Sequence, residues 1–371
     1  MKKNLITTVG IGLVVCLWIG LACFAWLKKP QDISVSERRN LTQAPKLSME
    51  TILAKGNNSF MSKFEKYTLD QFPLRDNFRQ VKSVFTYYVM QQKDNNDIYV
   101  VDDFIAKLEY PLDETQLDAN LNVLNQVYES TVKQKHSKVY VAVIPDKSYY
   151  LAEENGYLSQ DYEKLFATVK EKMPWATYID LTDTLDIESY YYTDTHWRQE
   201  EIIPTAQKIA EAMGKTVFQE SEYTKTELEK PFYGVYYGQA ALPIDPETIY
   251  LMENDVLDAC QVYDRTTEQT SKVYDMSKLE SKDLYEVFLS GSNSGILEIT
   301  NPSGSKRNEL VVFRDSFSCS MVPLLLKDYY KVTLVDLRLA DYTTINKLVQ
   351  PKMGKDVLFL YSTTVLTGFL A

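Results

Sequence analysis

The chain of 371 residues has little of the two side chains on which most metal and imidazole chemistry depends. There are two histidines, His136 and His196, and four cysteines. Cys16 and Cys23 fall inside an apolar run and no CxxC pair occurs, which excludes a zinc ribbon or a dithiol redox motif. Two histidines cannot build a His-rich metal site, and neither a metal nor another cofactor is expected. Cys260 and Cys319 lie outside the run, and a disulfide between them is one alternative. Positive charge is also in deficit: 40 Lys and Arg face 51 Asp and Glu, a formal net charge of −11. That balance argues against nucleic acid, whose binding requires cations to meet phosphates, and against a polyanionic ligand without a local basic cleft. Internal repeats and low-complexity tracts are absent. With 45% hydrophobic and 25% charged residues, the composition is that of a folded chain. Its length allows one sizeable domain with accessory parts, or two modest ones.

The N-terminus carries what the rest lacks. Leu5 to Leu27 is a run of 23 residues without a charge, enough to cross a hydrocarbon core of about 30 Å as a helix. The run is too long for the apolar part of a cleaved signal peptide, and Trp26-Leu27-Lys28-Lys29 offers no small-residue cleavage site. Gly20-Leu21-Ala22-Cys23 departs from a lipoprotein signal at Leu21, and the apolar run continues past Cys23. Residues 1–29 are therefore expected to be a cytoplasmic tip and transmembrane anchor, residues 30–55 a juxtamembrane linker, and residues 56–371 the main domain. Lysines flank the run on both sides, so charge bias does not set its orientation. Long domains after a first apolar segment are translocated largely regardless of charge. The expected location is the cell membrane, single-pass, with the C-terminal domain extracytoplasmic.

Beyond the linker, Phe60, Phe64, Phe72 and Phe78 lead to Val81, Val84 and Phe85 at mixed helical spacing, which predicts one or two helices broken at Pro73. An α/β alternation follows. Lys138 to Pro145 is the continuous apolar run of a buried parallel strand. Further strands are expected at 177–181, 310–313, 331–335 and 356–360. Helices are expected at 114–133, 158–173, 200–213, 319–329 and 342–349. Such repetition implies a parallel sheet with helices on both faces. Residues 218–300 differ in texture, with frequent Tyr and Phe and alternating stretches such as 232–237, and read as a strand-rich insertion.

Two segments could carry chemistry. Asp194 and His196 lie two residues apart before an expected helix. A carboxylate there could set the imidazole tautomer and stabilise the imidazolium; the plainer alternative is an N-cap at Asp194 or Thr195. Ser316 follows an apolar strand and precedes a helix, at the sheet edge where α/β proteins place their sites; the alternative is again a cap, from Ser316 or Ser318. Together they supply nucleophile, base and orienting acid in a chain with only two histidines.

Asp194-Thr195-His196-Trp197 resembles the signature of the DHHW family and of the related alginate O-acetyltransferase accessory proteins. The resemblance extends in order through Glu37-Arg38-Arg39-Asn40-Leu41, Asp70-Gln71-Phe72-Pro73, Ile144-Pro145-Asp146-Lys147, Phe232-Tyr233-Gly234, Arg314-Asp315-Ser316-Phe317 and Val335-Asp336-Leu337-Arg338. It implies an SGNH-hydrolase-like fold in a permuted order, with the Asp-x-His pair before the Ser. It further implies Asp194 as orienter, His196 as base and Ser316 as nucleophile, with Arg338 facing the site and Tyr361 as a further substrate or oxyanion contact. Thr195 departs from the family signature, which has a first His there. The implied function is a serine acyltransferase or esterase that O-acetylates or deacetylates a cell-surface polysaccharide, possessing no cofactor and served by a membrane protein that delivers the acyl donor. A non-catalytic carbohydrate-binding surface protein, to which the 27 tyrosines would be suited, and a scaffold of a membrane assembly are the alternatives.

Overall fold

The structure, a computed structural model, describes residues 2–34, 36–291, 293–349 and 355–370. By compactness the chain divides into two units: residues 1–92 with 237–243, and residues 93–236 with 244–371. Residues 56–92, grouped with the main domain on sequence, fall in the first unit.

The first unit opens with helix α1 (Lys2–Leu27). Its window Thr8–Ala25 has a mean hydropathy of 2.3 and no buried residue, and the helix is long and apolar enough to cross a membrane. Helices α2 (Phe60–Asp70) and α3 (Arg75–Val84) follow, separated around Pro73 as the sequence suggested. Ser59 starts α2 by accepting a hydrogen bond from the Ser62 amide. The segment just after α1 is tied to the end of α2. The Gln31 amide donates to Gln71 Oε1 at 2.9 Å, and Gln71 Nε2 returns a bond to the Gln31 carbonyl at 2.8 Å. Arg39 forks onto Asp70 at 2.6 and 3.1 Å, and Arg75 meets Glu37 at 2.6 Å. The Arg39 hydrogen bonds hold the Asp70 carboxyl below the usual carboxylate range.

The second unit is built on an eight-stranded sheet. Its strands are β1 (Lys138–Ile144), β2 (Thr177–Ile179), β3 (Gln261–Asp264), β4 (Thr270–Ser271), β5 (Ile296–Thr300), β6 (Ser305–Arg314), β7 (Tyr329–Val335) and β8 (Asp356–Ser362). The order across the sheet is β4-β3-β5-β7-β6-β8-β1-β2. The stretch from β7 to β2 is parallel, whereas β5, β3 and β4 pair antiparallel. The sheet is therefore mixed, not wholly parallel. The antiparallel strands come from the 218–300 segment, which extends the sheet edge and also forms a separate two-stranded antiparallel sheet from Thr224–Glu227 and Tyr250–Glu253. Glu298 on β5 bonds Lys331 on β7 at 2.9 Å and Arg265, just past β3, at 2.7 Å. Opposite charges on neighbouring strands of this kind favour the pairing.

Alternate residues of β6 feed two cores. Leu310 and Val312 pack with α6 (Ile203–Ala212) and α7 (Ser318–Leu324) on one face. Val311 and Phe313 pack with α4 (Glu114–Val127) and α5 (Tyr162–Lys172) on the other. Strands buried on both faces explain the unbroken apolar runs of β1, β6 and β8. Cys260 and Cys319 are both buried and both free, so the disulfide alternative is not realised.

Candidate active site

The C-terminal ends of β6, β7 and β8 bring three turns to one edge of the sheet. The turn after β6 is held by Asp315. Its Oδ1 accepts the Phe317 amide at 3.0 Å, and its Oδ2 accepts both the amide and the hydroxyl of Ser362, at the end of β8, at 2.7 Å. Ser318 donates its hydroxyl to the Asp315 carbonyl at 2.7 Å. With its neighbours so fixed, Ser316 is the one residue of 310–326 that is neither buried nor at the Lys327 end of the segment.

The second strip, residues 190–198, runs without helix between β2 and α6. Tyr190, Tyr191 and Trp197 are fully buried and anchor it. Trp197 Nε1 donates to the Phe317 carbonyl at 3.0 Å and to Ser320 Oγ at 2.9 Å, which ties this strip to the serine turn. The peptide units before Asp194 are gripped from two sides. Buried Lys147 donates to the carbonyls of Tyr191 and Tyr192, each at 3.0 Å. The Glu247 carboxylate accepts the amides of Tyr192 and Thr193 at 2.5 and 2.6 Å, and the Thr193 hydroxyl at 2.5 Å. Burial pushes the Lys147 ammonium down to about 7, against the pull of Glu247, Asp194 and Asp146; burial pushes Glu247 up. Both shifts oppose the buried charges.

These two strips align three side chains. His196 Nδ1 lies 2.6 Å from Asp194 Oδ1, and His196 Nε2 lies 2.7 Å from Ser316 Oγ. Asp194 is fully buried; its Oδ1 also accepts the His196 amide at 3.1 Å, and its Oδ2 accepts the Val235 amide at 2.8 Å. The imidazole stacks on Tyr285, with ring centroids 3.9 Å apart and 9° between planes. With the proton on Nδ1 facing the carboxylate, Nε2 is left as acceptor for the Ser316 hydroxyl, the arrangement a general base needs.

Neither capping alternative describes these residues. After His196 a 3-10 turn begins at Gln199 and the α-helix at Ile203, and neither start has a side-chain cap. α7 likewise has no side-chain cap, and the Ser316 hydroxyl goes to His196. Of the other two residues singled out on sequence, Arg338 forks onto Asp336 at 2.9 and 2.6 Å. Tyr361 is buried in the core on the α4 and α5 side of the sheet, and its hydroxyl has no hydrogen-bond partner among the described residues. Lys147 and Gly234 were noted on sequence only as parts of motifs, and Glu247 and Tyr285 were not noted at all. Tyr236 is buried, with its hydroxyl 3.3 Å from Thr195 Oγ1. Among the described residues, no group of three or more His, Cys, Asp or Glu side chains could hold a metal ion.

Fold and site together define an α/β protein with a Ser–His–Asp line at the C-terminal edge of a mixed sheet. Residues 177–335 match the family described as DHHW protein, the stretch that contains Asp194, His196 and Ser316. A crystal structure of a DHHW family protein from Eubacterium siraeum superposes with a TM-score of 0.59 at 20% identity, covering 74% of this chain and 93% of that one. Bacillus cereus PatB1 superposes with the same TM-score at 17% identity, covering 74% of this chain and 99% of that one. A PatB1 structure with a sulfonyl adduct superposes at 0.59 and 18% identity, covering 75% and 98%. At these identities the likeness speaks for the fold. No curated protein matches the chain in sequence.

Proposed function

We propose that this chain is a membrane-anchored, extracytoplasmic serine acyltransferase or esterase of the SGNH type, acting on a cell-surface polysaccharide, with its catalytic residues in a permuted order. The observation that carries the reading is the continuous line from Asp194 through His196 to the one solvent-reaching residue of the serine turn. Ser316 Oγ attacks the carbonyl carbon of an acyl ester as His196 Nε2 takes its proton. Asp194 keeps the other imidazole proton on Nδ1 and stabilises the imidazolium. The tetrahedral intermediate collapses, the proton passes to the leaving oxygen, and the acyl group remains on Ser316. A sugar hydroxyl or a water then gives its proton to Nε2 and takes the acyl group, restoring the serine. A sugar acceptor makes the protein a transferase and a water makes it an esterase.

The PatB1 structure with a sulfonyl adduct supports the choice of test, since sulfonyl reagents modify activated nucleophiles. The chain is treated with a sulfonyl fluoride and the modified residue is located by mass spectrometry. Label on Ser316, absent from Ser316→Ala and His196→Ala, is the expected result. A folded wild-type chain that neither labels at Ser316 nor turns over an activated acetyl ester would overturn the catalytic reading.

A further inference from the structure

The first unit has an amphipathic face turned the wrong way for a core. Along α3 and the wide turn that continues it, Phe78, Val81, Phe85, Tyr88 and Val89 recur at three- and four-residue spacing and are 49, 66, 51, 70 and 62% exposed. The opposite side of the same turns buries small polar residues, Ser83 and Thr86. Met61 and Leu69 on α2 are also exposed, at 69 and 63%. A water-facing stripe of this size marks an interaction surface.

Charge tells what kind. Residues 28–92 hold 11 Lys and Arg against 6 Asp and Glu, a net of +5. Residues 93–371 hold 27 against 45, a net of −18. Three of the acids in the first segment, Glu37, Asp70 and Asp76, lie against Arg39, Arg75 and Arg79. Lys82 is exposed on the same helix as the apolar stripe, Lys66 is exposed on α2, and Lys46 and Lys55 are exposed in the chain that leads into α2. Such polarity asymmetry along one chain is a mark of a surface that meets anionic lipid.

Position agrees. The reciprocal Gln31–Gln71 bonds fasten the end of α2 to the fourth residue beyond α1. Phe24, in the last turn of α1, lines one groove with Phe72, Leu74 and Arg75, from the α2–α3 junction. The exposed stripe thus starts where the apolar helix ends.

We propose that α2 and α3 form an in-plane membrane-docking element, with the Phe78–Val89 stripe set into the headgroup and upper acyl region of an anionic bilayer and the lysines at its phosphates. A helix with an apolar face and lysines beside it binds in that manner, by buried apolar area plus attraction to anionic lipid. The element holds the first unit against the bilayer instead of leaving it on a loose tether. This inference stands on the first unit alone and is independent of the chemistry at Ser316.

The test uses the full chain with Cys16→Ala, Cys23→Ala and Val81→Cys, labelled with the environment-sensitive fluorophore NBD and reconstituted into vesicles. Phosphatidylcholine vesicles are compared with phosphatidylcholine–phosphatidylglycerol vesicles, each with and without brominated acyl chains. A label at exposed Glu280→Cys is the solvent reference. The expected result is a blue-shifted emission at position 81, quenched several-fold more by brominated lipid than at 280 and more strongly when phosphatidylglycerol is present. Adding Phe85→Glu and Tyr88→Glu should return position 81 to the solvent value. Emission at 81 equal to that at 280 would overturn the proposal. So would a blue shift without bromolipid quenching, which would mean that protein covers the stripe. Quenching indifferent to phosphatidylglycerol would overturn the role of the lysines.

Discussion

Gly234 lies with its α-carbon against the backbone of Asp194: a Cβ at position 234 would stand 2.4 Å from Asp194 Cα and 2.3 Å from the Thr193 carbonyl carbon. Both partners are main-chain atoms, so no side chain can swing aside. The adjacent amides bind the same strip, Gly234 N to Thr193 Oγ1 at 2.9 Å and Val235 N to Asp194 Oδ2 at 2.8 Å. Gly234→Ala should push Asp194 away from His196 and cost about 1–3 kcal/mol of stability, the usual range for overpacking. Turnover of an activated acetyl ester should fall much further than the melting temperature. Unchanged kcat in a folded Gly234→Ala chain would show that the close approach has no bearing on the chemistry.

Ser316 and Ser318 provide an internal comparison. Ser316→Ala and His196→Ala should remove acyl-enzyme formation with folding intact. Asp194→Asn should lower kcat by about 10⁴-fold through a mis-set tautomer, as in serine proteases. Ser318→Ala removes one hydrogen bond to the Asp315 carbonyl. It should cost about 0.5–1.5 kcal/mol of stability and leave most of the rate. Stopped-flow acylation together with thermal melts separates the two kinds of loss.

Lys147 should act by positioning. Lys147→Met withdraws two donors from the carbonyls of Tyr191 and Tyr192. It should lower kcat more than it raises KM, and Lys147→Arg should restore part of the loss. A pH signature accompanies it. The folded value, about 7, lies below the ordinary 10.5. Between these values the unfolded chain holds a proton that the folded chain has released, so this residue makes stability rise with pH through that window. Melting curves of wild type minus Lys147→Met, taken from pH 6 to 10, should slope upward above neutrality. A flat difference would show that the buried ammonium keeps its proton.

Asp70 works in the opposite sense in the first unit. Its folded value is depressed by the Arg39 hydrogen bonds, so the stability it contributes is present above the unfolded carboxylate range and is lost as pH falls through the folded value. Asp70→Asn should remove this acid-limb dependence and loosen the segment around Arg39 and Thr42, whose amide bonds the same carboxylate at 2.9 Å. Hydrogen exchange at Thr42 against pH is the measurement.

The sequence disclosed those parts of the fold whose signal is local. β1, β6 and β8 stood out because burial on two faces leaves no polar interruption. His196 stood out because the chain has only one other imidazole. Ser316 stood out because a strand, a turn and a helix meet there. The rest depends on partners far along the chain. Glu247 grips Thr193 across 54 residues, and Tyr285 stacks on His196 from a segment with no period of its own. The antiparallel β3 and β5 are four and five residues long, and neither announces its neighbour. The mixed helical spacing of Phe78, Val81, Val84 and Phe85 did indicate a helix. It could not show that Phe78, Val81 and Phe85 turn outward, since spacing records who stands beside whom and not what lies opposite.

The hydroxyl and imidazole that meet at 2.7 Å are separated by 120 residues of chain. The turn that presents the hydroxyl is pinned by Ser362, at the far end of β8. A ribosome or a translocation channel delivers the histidine strip first, then the serine turn, and the strand that fixes that turn later still. Loop closure over such spans is slow compared with the folding of local helices. During synthesis the histidine strip and the serine turn are therefore both made before the strand that pins the turn. On the proposed reading, reactivity at Ser316 would arrive only with the completed sheet, and its onset would time the last folding step.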